Sequence, residues 1–228
     1  MKFDSLQRAL DARATAKTRD WWERYMKGVL PFRGVGIPVI REVVAAWRVE
    51  EGLDARPARE QFEVALALIR ERLAEDKLAG VLYLQNYLVE EIAWKEAVPR
   101  YAPLLDDGFI SDWNICDWFC VRVLGPTIAA HGTGAARAIA AWHQAENLWR
   151  ARASLVAFVY LVEDERWHPL ILRGAATLIR RDERFAKTAV GWVLRDLSKF
   201  DRERVTAFVD KHRAHFTSET FRNVTKYL

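Results

Sequence analysis

Asp117 stands at helical spacing among Trp113, Cys120, Val121 and Leu124, in a segment (DWNICDWFCVRVL, 112–124) that is apolar almost all round. A carboxylate there costs several kcal/mol, on the order of 2–7, unless it is paired or hydrogen-bonded. Arg152 is the mirror case, a guanidinium among Leu148, Leu155, Val156 and Val159. Two readings are open. The pair could be a buried ion pair that fixes helix packing, or a carboxylate and an arginine held in a cleft beside tryptophans. A third residue breaks its local pattern. On a helical wheel of 183–199, Ala186, Val190, Val193 and Leu197 form the apolar face. Arg184, Thr188, Trp192, Arg195 and Lys199 share another sector of about 80°. An aromatic among cations suits a polyanion, the cations meeting phosphates while the ring stacks. It also suits a ring packed on a neighbouring helix.

Other chemistries find no support. Gly34–Val35–Gly36 lacks a preceding strand and a further glycine, so it is no dinucleotide fingerprint. His131, His143, His168, His212 and His215 show no metal-ligand spacing on a shared helix face, and no serine elbow or Cys–His pattern is present. No metal and no organic cofactor is implied. The two cysteines, Cys116 and Cys120, suggest neither a disulfide framework nor a zinc site, which points to a reduced, cytoplasmic setting.

These residues need helices to present them. Strand signals are nearly absent, and segments with i, i+3, i+4, i+7 apolar spacing follow one another. The spacing predicts helices near 4–13, 17–27, 38–49, 57–73, 76–92, 94–104, 112–124, 134–145, 147–162, 165–180, 183–199, 201–213 and 217–227. Adjacent pairs recur at roughly 35–40 residues, close to HEAT-type spacing. The expectation is a single all-α domain over 1–228, an α-solenoid of HEAT-like helix pairs with a concave face. No apolar run reaches membrane-spanning length, and the polar, acidic N-terminus does not read as a secretory signal. The net charge of +4 is uneven: residues 165–228 carry 14 Lys and Arg against 8 Asp and Glu, a basic bias that fits a nucleic-acid partner.

The segments RYMKGVLPFRGVGIP (24–38), SDWNICDWF (111–119), NLWRARASLVAFVYL (147–161) and FAKTAVGWVLRDLSK (185–199) resemble the AlkD-like alkylpurine DNA glycosylases, in order and spacing. The resemblance implies HEAT-like repeats that wrap duplex DNA on the concave face. It also implies hydrolysis of the N-glycosidic bond of N3- and N7-alkylated purines, without metal or lyase step, by a monomer. Carried over by position, Asp117 takes the place of the catalytic aspartate, with Trp113 and Trp192 lining the lesion. Arg152, Arg195, Tyr25 and Lys187 fall at DNA-contacting positions. Two departures stand out. Ser111–Asp112–Trp113–Asn114 replaces the family's S-W-W-D, putting an extra acid, Asp112, where it is expected to weaken DNA binding or alter preference. Tyr160 lies near a position that is otherwise basic. Alternatives are a non-catalytic binder of unusual DNA structures on the same scaffold, and a protein–protein scaffold.

Overall fold

The computed structural model describes residues 3–228, and among them every regular element is helical. The chain divides into two compact units, Met1–Val123 and Leu124–Leu228.

The first unit holds α1 (Asp4–Asp11), α2 (Ala16–Met26), α3 (Ile37–Glu50), α4 (Ala58–Ile69), α5 (Ala74–Tyr87), α6 (Trp94–Asp106) and α7 (Trp113–Phe119). Its centre is α5, which packs against α3, α4 and α7. Residues 74–84 of α5 are buried on every side, so the helix has no amphipathic stripe. Gly80 permits this closeness: a Cβ there would lie 2.6 Å from the Ala65 carbonyl oxygen of α4. The buried run begins with three charges, Glu75, Asp76 and Lys77, each given specific partners. Lys77 Nζ donates to the carbonyls of Ile69 (3.0 Å) and Phe109 (2.7 Å), tying the end of α4 to the turn before α7. Glu75 accepts the backbone N–H groups of Arg33 (2.9 Å), Gly34 (2.8 Å) and Val35 (3.1 Å).

The second unit holds α8 (Gly125–His131), α9 (Thr133–Ala140), a 3-10 turn (Ala141–Gln144), α10 (Leu148–Val156), α11 (His168–Leu178), α12 (Arg184–Leu197), α13 (Arg202–His212) and α14 (Ser218–Val224). Here α12 is central, packed between α10 and α14, while α9 and α11 pack on each other and on the 3-10 turn. Asn147 caps α10 by accepting from Trp149 and Arg150, and Asp201 caps α13 by accepting from Arg204.

Most predicted helices are present; two differ, and one helix lies outside the predicted spans. The segment 112–124 is not one α-helix: it starts after Asp112, and at Cys120–Leu124 the ladder widens into a π-helical turn. Residues 125–131, between the predicted helices 112–124 and 134–145, form α8, whose first turn holds Pro126, a position that tolerates proline. The segment 147–162 is helical only to Val156, after which tight turns carry the chain to α11. Among the described residues no helix is long and apolar enough to cross a membrane.

Candidate functional site

In the first unit the relevant helices are α2 and α7. The buried residues of α7 are Asn114, Ile115, Cys116 and Phe119, which leaves Trp113, Asp117 and Trp118 on its partly accessible side. Trp113 and Asp117, four apart, therefore share the partly accessible face of the helix. Tyr25 of α2 meets Trp113 edge-on, ring centroids 5.1 Å apart at 75°. Trp21 stacks on Tyr25 in turn, 5.0 Å apart at 16°. Trp21 and Tyr25 are each half exposed (51% and 50%), an unusual state for two large rings that could bury each other's outer faces. The predicted residues Tyr25, Trp113 and Asp117 thus lie in one neighbourhood, and Trp21 is an addition that sequence reading missed. Its signal was available as an aromatic i, i+4 pair on one helix face.

The loop after α2 sets the position of these rings. Lys27 ends α2 in the left-handed conformation (φ 53°), and the chain turns back so that Phe32 lies flat under Trp22, 5.2 Å away at 1°. Gly34 closes the loop against the start of α2: Thr15 N–H donates to its carbonyl at 3.0 Å, and φ is +102°. A Cβ at Gly34 would lie 2.4 Å from the Thr15 carbonyl oxygen. Glu75 holds the same stretch from below, and Arg33 bridges Asp11 and Asp76, both at 2.8 Å. Burial pushes the Asp76 carboxyl above its ordinary value, against the opposing pull of Arg33.

Asp112, expected as an extra acid facing the DNA groove, has another place. It is 3% exposed and is the N-cap of α7, accepting from the Ile115 N–H at 2.9 Å. Burial raises its carboxyl above the ordinary value; the Ile115 and Asn114 N–H groups and the Lys77 charge pull it down, and Asp117 pushes it up again. The side chain that departs from the family pattern thus serves helix initiation beneath the face that Trp113 and Asp117 present.

In the second unit the residues fall on α10 and α12. Arg152 is 4% exposed, and its Nη1 donates to the Phe185 carbonyl (2.7 Å) and to Thr188 Oγ1 (3.2 Å). It thereby ties α10 to the first turns of α12. One turn beyond Thr188, Trp192 is half-buried on the polar side of the helix, while Ala186, Val190, Val193 and Leu197 are buried on the other. The polar stripe is where the wheel placed it, but its cations have partners. Arg184 bridges Glu219 (2.6 Å), and Lys187 Nζ donates to the His215 carbonyl (2.7 Å). Arg195 and Lys199 share Asp196, at 3.0 and 2.8 Å, and Arg195 also donates to Asn223 Oδ1 (3.3 Å). Burial alone would raise the Asp196 carboxyl, yet the hydrogen bonds and charges of Arg195 and Lys199 outweigh it and hold it below the ordinary value. Tyr160 is 71% exposed.

Sequence comparison places residues 6–228 within a family whose model is described as DNA alkylation repair enzyme. Among solved structures, one described as a predicted DNA alkylation repair enzyme from Enterococcus faecalis superposes with a TM-score of 0.80. It is 22% identical, and the match covers 95% of this chain and 97% of the other, a likeness of fold. No curated protein matches by sequence. The family match spans both units and nearly every residue described above, and the chain belongs to the DNA alkylation repair enzyme family.

Proposed function

We propose that the protein is a monofunctional DNA glycosylase, acting as a monomer without a metal, that hydrolyses the N-glycosidic bond of N3- and N7-alkylated purines in duplex DNA. The observation that carries this reading is the accessible face of α7, where Asp117 and Trp113 stand one turn apart with Tyr25 against the ring. Alkylation at N3 or N7 makes the purine a cation and its bond to C1′ weak. As that bond breaks, its electron pair leaves with the base, which departs neutral, and positive charge develops on C1′ and the ring oxygen. The Asp117 carboxylate stabilises this charge and orients the water that adds to C1′; the water's proton passes to solvent. Fixed charge aimed at a developing cation is the most effective form of such help. Trp113 offers a π face to the same cation, a contact of roughly 0.5–2 kcal/mol.

The second unit is assigned to holding the DNA. Trp192 presents a ring to the lesion strand, while Lys187 and Arg195 meet phosphates by exchanging their present neutral or acidic partners. Arg152 acts here by fixing the start of α12, and so the direction of Trp192. A carboxylate on a partly open helix face needs no deep base pocket, which makes selectivity a matter of lesion charge and lability, and bulky adducts acceptable.

The test is release of 7-methylguanine and 3-methyladenine from methylated duplex DNA by wild type and Asp117→Asn. Wild-type release that falls by about 10²–10³-fold in the variant, with DNA affinity kept, supports the reading. Salt-sensitive DNA binding without any release by wild type overturns it in favour of a non-catalytic DNA binder.

A further inference from the structure

The second unit contains a cleft of about 820 Å³ that none of the residues assigned to the lesion lines. Its walls come from α9, the 3-10 turn, the turn before α11, and α11 itself, by way of Arg137, His143, Gln144, Arg166, Trp167 and Arg173. Three arginines and a histidine face one space, and no carboxylate is among its lining residues. Arg166 is engaged by Asp164 at 2.6 Å, but Arg137 and Arg173 have no ion pair among the described residues. Like charges gathered without counter-charge repel one another, and an anion relieves that repulsion.

The floor gives a second, independent sign. His143 is only 8% exposed, and its Nδ1 is buried with no hydrogen-bond partner. Buried polar atoms in folded proteins are nearly always satisfied, so an orphan on a residue that lines the cleft is a polar group still to be met. Burial, and after it the charge of Arg173, hold the His143 pKa below the ordinary histidine value, so the ring is neutral and carries one N–H at neutral pH. Arginine supplies planar, paired donors that match phosphate oxygens. The remaining wall, with Trp167, Ala140 and Leu170, is apolar and leaves room for an organic group attached to the phosphate.

We propose that this cleft is a second binding site, for a phosphate group, with Arg137 and Arg173 holding its oxygens above His143. The group has two sources of the same chemistry: a small phosphorylated molecule free in solution, or the phosphodiester backbone of DNA. The inference stands apart from the glycosylase reading, since neither arginine has a part in it.

The test measures binding of inorganic pyrophosphate by calorimetry, and of an unmodified DNA duplex by fluorescence anisotropy, for wild type, R137Q/R173Q and R180Q/R202Q. The last removes the same charge from exposed positions outside the cleft. Both arginines of the test variant are exposed on helix surfaces, and thermal unfolding confirms that each variant is folded. Pyrophosphate binding that weakens at least about tenfold in R137Q/R173Q alone, with DNA affinity matching the control, supports the site and assigns it to a free phosphorylated molecule. The same loss accompanied by DNA affinity well below the control supports the site and assigns it to the DNA backbone. Absence of pyrophosphate binding by wild type, or binding equal in wild type and R137Q/R173Q, overturns the proposal.

Discussion

Trp113 stands among rings, with Tyr25 edge-on to it and Trp21 stacked behind Tyr25. Trp192 has no ring contact among the described residues, and its helix is fastened by polar groups: Arg152 at Phe185 and Thr188 before it, and Arg195 at Asn223 of α14 after it. The same side chain is thus presented by two kinds of physics. Ring contacts of roughly 0.5–1.5 kcal/mol each are insensitive to salt and follow shape. Charged hydrogen bonds are directional, and their exposed members weaken as salt rises. In the first unit precision depends on a folded loop, and in the second on a guanidinium.

Substitutions at four positions probe that contrast. The largest effect is expected from Gly34→Ala, which forces a left-handed backbone on alanine and drives its Cβ into Thr15. A loss of at least about 3 kcal/mol in urea unfolding is expected, with the near-UV signal of the Trp21, Trp22 and Tyr25 set reduced. A stable G34A protein with unchanged aromatic signal would mean that the loop does not hold the rings. Arg152→Met comes next, at about 2 kcal/mol, because buried charge-assisted hydrogen bonds between α10 and α12 are lost. If Arg152 directs Trp192, alkylated-DNA affinity falls in R152M even at temperatures where it is fully folded.

Asp112 separates capping from charge. Asp112→Ala loses the cap of α7 and is expected to cost about 1 kcal/mol, whereas Asp112→Asn keeps an acceptor for the Ile115 N–H and costs less. The Asp112 carboxyl lies above its ordinary value of 3.8 in the folded protein. Its contribution is therefore complete below that value and is lost as pH rises through the raised one. Wild type should gain on D112N as pH falls from 7 toward 4 in paired urea titrations, and an advantage that grows with rising pH would reverse the assignment. Trp21→Ala is the mildest, at about 0.5 kcal/mol, the low end for a ring contact, because the ring is half exposed. A severalfold loss of DNA affinity in W21A would extend the binding surface to Trp21, and unchanged affinity would limit Trp21 to supporting Tyr25.

Helix positions and faces were legible in the sequence because apolar periodicity is a local signal. The separation of Trp192 from the valines of α12, and the exceptional setting of Asp117, came from the same signal. Pairing was not legible. Nothing local says that Arg184 meets Glu219, that Lys187 reaches the His215 carbonyl, or that Tyr25 touches Trp113, since each contact joins distant segments. Asp112 was misread for a different reason. An aspartate immediately before an apolar helical run is an N-cap signal, but starting the helix at 112 placed that residue inside it and turned a cap into an intruder. Likewise Glu75, Asp76 and Lys77 look like an ordinary solvated helix start, and only tertiary structure shows all three buried.

The Glu75 contact with the loop joins a side chain to main chain alone. Its three donors belong to the backbone of Arg33, Gly34 and Val35, which every residue except proline supplies. For this contact the side chains at 33 and 35 are free to drift over generations, while position 75 is not. Glutamine offers one acceptor oxygen in place of two, and aspartate falls short by a methylene. The Glu75 share of the hold on the loop is thereby inherited through a single codon, separate from the shares that Gly34, the Arg33 ion pairs and Phe32 carry.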